Sequence, residues 1–419
     1  PELKQLFDGF TWYMNVISFG GHTNMGAPAL MGGYEYTPVE LNRRDSERLV
    51  NKHNESAKVL PVLFSENGYG ATVCDVPYAN YKWIPDLSIF DDHPKIRTYI
   101  TKGAFGDETD EEASTHGNLR NFFAFAWMKT LPLELQRVVY DNGNYLVAGG
   151  QIGAVAQIGY GVSKARGIDR TFLAPFDVLT HLADMTAAEA GGKGEYLFFY
   201  NDTPHEPALL KEPEYLPENA IDNTVYDEAH ADRFTLDGKT LIVENRQLMI
   251  HYQSNMAVLL QIGKWFDRLR LLGVYDNTRI IIVSDHGFYL EQAPDRLFEV
   301  GDGTIDTEAF YPLLMVKDFG AEGFRVSDEF MTNADVPAIA VKDVIADPVN
   351  PFTGKRITTE EKTAHDQFIM TSRDWHVSTS DKTFDASGWA VVGKDMNDRA
   401  NWRFIEEETV LKEHRMPGE

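Results

Sequence analysis

The sequence predicts an α/β fold in which helices flank one central, mostly parallel sheet. Short apolar runs bounded by turn or polar residues suit buried parallel strands, and they occur at residues 10–18, 71–74, 196–200 and 279–283. Helical stretches lie between these runs. Residues 251–272 form the clearest helix, because their apolar side chains recur at helical spacing.

Turn residues separate these elements along the chain. A short helix precedes the first strand, and the turn Phe19-Gly20-Gly21 follows it. The next strand begins after an Asn-Gly pair at 67–68, and the strand at 196–200 ends in the polar turn NDTPHEP. Gly273 ends the long helix, and a YDNT turn then leads into the apolar run IIIV. The sequence therefore predicts a helix–turn–strand unit over about 251–283.

The length of 419 residues suits one large domain with an appendage. We expect a catalytic domain over residues 1–346, interrupted at about 101–150 by an exposed acidic loop and a helical insertion. The turn-rich segment ADPVNPFTGK then opens a C-terminal extension over residues 347–419, which we expect to pack on the main domain.

Charge and cysteine content exclude several function classes. The formal net charge of −25 would repel a phosphate-rich polymer at long range, so we expect no nucleic-acid partner. Cys74 is the single cysteine, which excludes an intrachain disulfide, a redox pair and a thiolate zinc cluster. No apolar run approaches the roughly 18 to 20 residues that span a bilayer.

The strongest chemical signal is the tetrapeptide Ser284-Asp285-His286-Gly287, directly after the last apolar strand. Ligands bind at the carboxyl ends of strands in open α/β sheets. A carboxylate and an imidazole side by side at such an end can both turn toward one cation. The alternative is that Asp285 caps a following helix and His286 fills a pocket.

The run NMAVLLQIGKWFDRLRLLGVYDNTRIIIVSDHG at residues 255–287 resembles the segment with the metal-binding Asp-His pair in the alkaline phosphatase superfamily. The resemblance implies an alkaline phosphatase-like or sulfatase-like fold in which Asp285 and His286 are metal ligands. Sulfatases carry a Cys or Ser in a CxPxR or SxPxR motif. Here Cys74 lies in TVCDVP, without the required proline and arginine, so the sulfatase interpretation loses its nucleophile.

The run GGHTNMGAPAL at residues 20–30 resembles the nucleophile region of the lipoteichoic acid synthase and lipid A phosphoethanolamine transferase branch. That branch places a Thr five residues ahead of a Pro or its counterpart, as Thr23 precedes Pro28, and the Thr is both metal ligand and nucleophile. A hydroxyl bound to a divalent cation loses its proton more readily, and a helix N-terminus offers N–H groups to phosphate oxygens. The alternative for Thr23 is an ordinary helix N-cap.

Further site residues follow from the same resemblance. His205, in the turn after the strand at 196–200, matches a histidine that contacts the substrate phosphate or protonates the leaving group, although it could also satisfy a loop carbonyl. His22 either touches the phosphate or holds the turn, and Asn24 joins it as a candidate substrate contact. The branch usually supplies another histidine soon after the Asp-His pair. None occurs at 288–302, where Arg296 could offer positive charge instead.

The branch also begins its catalytic domain with an apolar strand that ends in a metal-binding Glu or Asp well before the nucleophile. Only 22 residues precede Thr23, so we expect that this strand is missing and that the cation site is incomplete. The expected cation is Mn²⁺ or Zn²⁺, with Mg²⁺ as a further possibility. Transmembrane helices upstream of the chain would hold the native protein at the extracytoplasmic face of a bacterial membrane.

The sequence leaves three functions open. The first is transfer of a phosphoglycerol or phosphoethanolamine-like group to an envelope lipid or glycan, through a phosphorylated Thr23. The second is a hydrolase of the same superfamily, such as a phosphodiesterase, phosphatase or sulfatase-like enzyme, in which water takes the second step. The third is an inactive domain that binds envelope polymers.

Overall fold

The structure is a computed structural model that describes all residues except 1, 106–125, 127, 129, 133–134, 137–156, 160, 189–190, 237–238, 373–375, 385–387 and 406–419. The described helices are α1 (Glu2–Leu6), α2 (Thr23–Gly32), α3 (Pro38–Arg43), α4 (Leu49–Glu66), α5 (Arg170–Met185), α6 (Thr224–Ala229), α7 (Arg246–Leu271), α8 (Val336–Val341) and α9 (Glu361–Ala364).

The described strands are β1 (Phe10–Ile17), β2 (Gly70–Cys74), β3 (Ile96–Tyr99), β4 (Ile158–Gly159), β5 (Lys164–Arg166), β6 (Glu195–Phe199), β7 (Ala220–Asp222), β8 (Thr235–Leu236), β9 (Lys239–Thr240), β10 (Ile280–Val283), β11 (Leu297–Val300), β12 (Gly303–Asp306), β13 (Leu314–Lys317), β14 (Arg325–Thr332), β15 (Gln367–Met370), β16 (Trp389–Val392) and β17 (Trp402–Ile405). They belong to two compact units, which comprise Pro1–Ile100, Ala188–Tyr200 and Leu269–Glu419 in the first, and Thr101–Ala187 and Asn201–Arg268 in the second.

A four-stranded sheet in the order β10-β13-β1-β14 lies in the first unit. β1 and β14 pair in parallel, whereas β13 runs antiparallel to both β1 and β10. β1, β10 and β14 therefore point the same way, and their carboxyl ends meet at one edge of the sheet. The residues that follow these ends are Ser18, Ser284 and Asn333.

A second, parallel sheet of the first unit has the order β3-β2-β6. Buried apolar side chains join both sheets and the helices α2 and α4 in one core, which includes Val16, Ala27, Ala57, Val73, Leu314 and Met331. Full burial of one Val, Leu or Met side chain stabilises a fold by about 1.5–3 kcal/mol. The core therefore fixes α2 against the strands whose ends carry the motifs.

The C-terminal segment, which follows residue 346, contributes an antiparallel sheet in the order β15-β16-β17. Its residues Met370 and Trp389 pack in a cluster with Met25 of α2 and Tyr36. The Met370 N–H also donates to the Phe19 carbonyl at 3.0 Å. This segment therefore supports the glycine turn that precedes Thr23.

Lys52 of α4 is fully buried. Its ammonium group donates to the carbonyls of Leu41, Arg44 and Lys382, the last two at 3.1 and 2.7 Å. Leu41 lies in α3 and Arg44 directly follows it, so this one side chain joins two helices to the C-terminal segment. Burial lowers the pKa of Lys52 to about 8.

The second unit has its own apolar core. Phe172 and Phe176 of α5 stack with ring centroids 5.1 Å apart and pack against Ala257 of α7. The sheet β4-β5-β7 is antiparallel throughout. No helix among the described residues of either unit is long and apolar enough to cross a membrane.

The predicted α/β class is confirmed, and the strands at 10–18, 71–74, 196–200 and 279–283 form within one residue of their expected bounds. Two details differ. The four predicted strands are divided between two sheets, with β1 and β10 in one and β2 and β6 in the other. In the first of these sheets β13 is antiparallel, because the segment 284–313 holds the β11–β12 hairpin and no crossover α-helix. The helical insertion predicted at 101–150 lies almost wholly outside the described residues. The predicted domain bounds stay a prediction.

Candidate functional site

Thr23 is the first residue of α2 and is 7% exposed, and the next residue, Asn24, is 5% exposed. The N-cap position belongs to His22, whose backbone is extended, and no side chain caps the helix. The amides at the start of a helix have no partner within the helix and carry partial positive charge. Thr23 therefore stands where an anion can bind, and the alternative role of N-cap belongs to its neighbour.

Asp285 and His286 follow β10 without starting a helix. The Ser284 N–H donates to the Leu313 carbonyl at 3.0 Å, and the Ser284 hydroxyl accepts from the Leu313 N–H at 2.8 Å. These bonds fix the loop beside β13. Because residues 285–293 contain no helix, the alternative role of Asp285 as a helix cap does not apply.

The loop that begins with Asp285 and His286, called here the Asp-His loop, lies directly against α2. A Cβ atom at Gly26 would come within 2.3 Å of the Asp285 carbonyl oxygen, closer than real Cβ contacts allow. Gly26 stands one helical turn after Thr23, on the same face of α2. The missing side chain at Gly26 therefore lets Asp285 approach the turn of helix that begins with Thr23.

The ring of His22 lies near the rings of two residues of the Asp-His loop. Its ring centroid lies 6.2 Å from that of His286 and 5.8 Å from that of Tyr289. Tyr289 also approaches the glycine turn, since a Cβ atom at Gly21 would lie 2.4 Å from its hydroxyl. The structure thus groups His22, Asp285, His286 and Tyr289 at the start of α2.

The hydrogen bond of His286 defines its tautomer. Nδ1 lies 2.5 Å from the Gly287 carbonyl, which can only accept, so Nδ1 carries the proton. In the neutral ring Nε2 then presents a lone pair. Metal-binding histidines commonly donate their other N–H to a backbone carbonyl in this way.

Asp285 offers an acceptor to the same region. Its Oδ1 accepts from the His286 N–H at 3.1 Å, whereas its Oδ2 is buried and has no hydrogen-bond partner among the described residues. Oδ2 lies 3.7 Å from His286 Nε2. A buried carboxylate oxygen without a donor is costly, so these two atoms suit a shared cation. Within the described part of the chain, however, no three His, Cys, Asp or Glu side chains are grouped to hold a metal ion.

The guanidinium of Arg296 is engaged by the C-terminal segment. It donates to the Met396 carbonyl at 3.2 Å and to Asn397 Oδ1 at 2.7 Å, and it lies 4.3 Å from the Tyr311 ring centroid. Burial lowers the pKa of Arg296. A substrate contact by this side chain stays a prediction.

His205 belongs to the second compact unit. It ends a short 3-10 turn (Thr203–His205), its side chain is 44% exposed, and Nδ1 lies 3.1 Å from Glu206 Oε1. Its predicted action on the substrate phosphate or leaving group stays a prediction, as does substrate binding by His22 and Asn24.

Three residues at this site did not emerge from the sequence. Gly26 and Tyr289 stand out only through the close approaches described above. Asn333 follows β14 and is fully buried, and its side-chain amide donates to the carbonyls of Gly26 and Asp285. The capping pattern of Thr332 and Asp335 was the one local signal of a turn there.

No protein-family model matches the sequence, and no curated protein matches it. Among solved structures, the chain is similar to the lipoteichoic acid synthase LtaP from Listeria monocytogenes, with 9% identity, a TM-score of 0.44, and coverage of 97% of this chain and 79% of that one. It is also similar to a protein in the alkaline phosphatase superfamily from Vibrio parahaemolyticus, with 11% identity, a TM-score of 0.42, and coverage of 98% and 77%.

A third similar structure is the phosphonate monoester hydrolase SpPMH from Silicibacter pomeroyi, with 12% identity, a TM-score of 0.46, and coverage of 97% and 83%. These neighbours include the class of enzyme that the sequence motifs resemble.

Proposed function

We propose that the chain is a metal-dependent enzyme of the alkaline phosphatase superfamily that transfers or hydrolyses a phospho-group, with Thr23 as its nucleophile. One observation carries this proposal. The buried Asp285 Oδ2, which has no donor among the described residues, lies 3.7 Å from His286 Nε2, and the backbone of Asp285 contacts the first turn of the helix that Thr23 begins.

The spacing of these two atoms suits a common cation. Two ligands at about 2.1 Å from one tetrahedral ion lie about 3.4 Å apart. Asp285, His286 and Thr23 would hold Mn²⁺ or Zn²⁺, with Mg²⁺ as a further possibility. A bound cation would favour loss of the Thr23 proton and offset charge on the phosphate.

In the proposed reaction, Thr23 Oγ forms a bond to phosphorus while the bond from phosphorus to the leaving oxygen breaks. N–H groups at the start of α2 would orient the phosphate oxygens. The leaving oxygen takes up a proton from a general acid. An acceptor hydroxyl or water then attacks phosphorus, the bond to Thr23 breaks, and Thr23 regains a proton.

The resemblance to the lipoteichoic acid synthase and phosphoethanolamine transferase branch favours transfer over hydrolysis. We expect a lipid-linked donor that carries phosphoglycerol or a phosphoethanolamine-like group, and an envelope lipid or glycan as acceptor. Such substrates place the native protein at the extracytoplasmic face of a bacterial membrane, held there by a membrane anchor.

Mn²⁺ titration by calorimetry tests the cation site directly. We expect Asp285→Asn to weaken Mn²⁺ binding at least about tenfold, because it removes the charged ligand. The matched control is Asp318→Asn, since Asp318 lies after β13 and pairs with Arg279 at 2.8 Å. Equal binding by the parent chain and the Asp285 variant would remove the cation site from the proposal.

Mass spectrometry of the chain after incubation with a phosphoglycerol or phosphoethanolamine lipid and Mn²⁺ tests the nucleophile. The covalent adduct should map to Thr23. Turnover accompanied by an adduct on another residue would overturn the assignment.

A further inference from the structure

Asn333 joins the two halves of the candidate site through one side-chain amide. Its Nδ2 group donates to the Gly26 carbonyl at 3.0 Å and to the Asp285 carbonyl at 3.0 Å. Gly26 lies one turn after Thr23, and Asp285 is a candidate metal ligand. The two protons of this single NH₂ group therefore connect α2, which begins with Thr23, to the Asp-His loop.

The surroundings of Asn333 hold its backbone in place. Thr332 and Asp335 form a reciprocal cap, in which the Thr332 N–H donates to Asp335 Oδ2 at 2.9 Å. The Tyr34 hydroxyl donates to Asp335 Oδ1 at 2.8 Å. Asn333 and Asp335 are both fully buried. A side chain on so constrained a turn has little freedom to follow a shift of α2 or of the loop.

Few other side chains could make this connection. The Gly26 and Asp285 carbonyls are acceptors, so the connecting group must donate twice. Aspartate has the same shape but no such pair of donors when ionised, and alanine has no donor at all. The position therefore depends on the chemistry of an amide as well as on its size.

We propose that Asn333 is a positioning residue, which sets the distance between Thr23 and the Asp285-His286 pair. The proposal rests on the proposed function of that site. Asn333 acts through its hydrogen bond to the Asp285 carbonyl, in the backbone of the Asp-His loop, and touches neither the substrate nor the cation. Residues that hold a metal-binding residue in place by hydrogen bonds typically contribute 10- to 100-fold to metal affinity.

Asn350 provides a matched control in the same unit. It is 1% exposed, and its Nδ2 group also donates twice, to Glu35 Oε2 at 2.9 Å and to the Tyr36 hydroxyl at 3.1 Å. Asn333→Ala and Asn350→Ala thus each remove a buried amide that donates twice, but only the Asn333 amide donates to the candidate site.

The test is the Mn²⁺ dissociation constant of the metal-free chain, measured by calorimetry for the parent, Asn333→Ala, Asn350→Ala and Asp285→Asn. Thermal unfolding of each variant reports folding separately. We expect Asn333→Ala to weaken Mn²⁺ binding 10- to 100-fold, whereas Asn350→Ala leaves it within about twofold of the parent.

The outcomes separate the two proposals. If Asp285→Asn weakens binding but Asn333→Ala and Asn350→Ala behave alike, the positioning role is overturned and the cation site stands. If Asp285→Asn leaves binding unchanged, the proposed function fails, and the role of Asn333 fails with it. If Asn333→Ala does not fold, Asn333→Ser, which keeps one donor, should bind Mn²⁺ more weakly than the parent, and parent-like affinity would overturn the role.

Discussion

Thr23 combines a buried position with a hydroxyl at the start of a helix. A loss of that hydroxyl should leave the fold largely intact, because removing a few buried side-chain atoms costs about 1 kcal/mol. We expect Thr23→Ala to lower phospho-group turnover by at least about 1,000-fold, as removal of a nucleophile does. Steady-state kinetics and thermal unfolding together check this expectation.

Thr37→Ala is the control for that measurement. Thr37 is also 7% exposed and stands at the start of a helix, as the N-cap of α3. It should therefore lose comparable stability and keep its activity. Retention of most turnover by Thr23→Ala would assign the nucleophile elsewhere.

Asp335 should make stability depend on pH. Burial raises the pKa of this carboxyl to about 6, and the unfolded chain has a value near 3.8. A raised pKa means that the folded state binds the proton more tightly. The charged carboxylate therefore destabilises the fold by about 3 kcal/mol above pH 6, and this loss disappears as the pH falls toward 4.

Urea unfolding of the parent chain and Asp335→Asn at pH 7.5 and pH 5 checks this sign. On acidification the parent should gain about 1 kcal/mol or more relative to the variant, which cannot titrate at this position. A parent chain that loses stability relative to the variant would show that hydrogen bonds from Tyr34 and Thr332 outweigh burial.

At the scale of elements, the contact between α2 and the Asp-His loop depends on Gly26. A methyl group there would meet the Asp285 carbonyl, which belongs to the backbone and has little room to move. We expect Gly26→Ala to displace the loop, to reduce turnover at least about tenfold and to destabilise the fold by about 1–3 kcal/mol.

Gly303→Ala is the matched control for the Gly26 variant. Position 303 has open space around an added Cβ atom and an ordinary backbone conformation, so the change should be harmless. Kinetics and denaturant unfolding of both variants make the comparison. A Gly26→Ala enzyme with parent-like activity would show that the close approach has no part in the site.

The elements that the sequence predicted best are those with a continuous apolar pattern. The run IIIV became β10, and the helical spacing at 251–272 became most of α7. β14 escaped prediction because its sequence RVSDEFMT mixes charged and apolar residues, and the five exposed or half-exposed residues at its start hide the pattern. Asn333, which follows β14, was missed for the same reason.

The residues of the candidate site likewise divide into those that sequence motifs predicted and those that they did not. Asp285, His286 and Thr23 follow recognisable motifs, and their clustering follows from β1 and β10 pointing in one direction. Gly26 and Tyr289 depend on a close approach between segments some 260 residues apart in the chain. Local sequence carries no signal of such an approach, so it could not have been predicted.

At the scale of the whole molecule, the net charge of −25 should oppose binding of anionic substrates. Raising the ionic strength from about 10 to 150 mM shortens the Debye length from about 30 to 8 Å. We therefore expect kcat/KM to rise a few-fold for a dianionic phosphate monoester, and to rise less for a monoanionic diester. A fall in kcat/KM with salt would show that a local positive field governs substrate entry.

The three hydrogen bonds of the Lys52 side chain affect how it reacts in chemical labelling. An acylating reagent needs an accessible amine, whereas the amino group of Lys52 is fully buried and donates to three carbonyls. In the folded chain Lys52 should stay unmodified while Lys355, whose side chain is 61% exposed, reacts readily. Peptide mapping after timed acylation would then make Lys52 a reporter of the opening of the contacts that α4 makes with Leu41, Arg44 and the segment around Lys382.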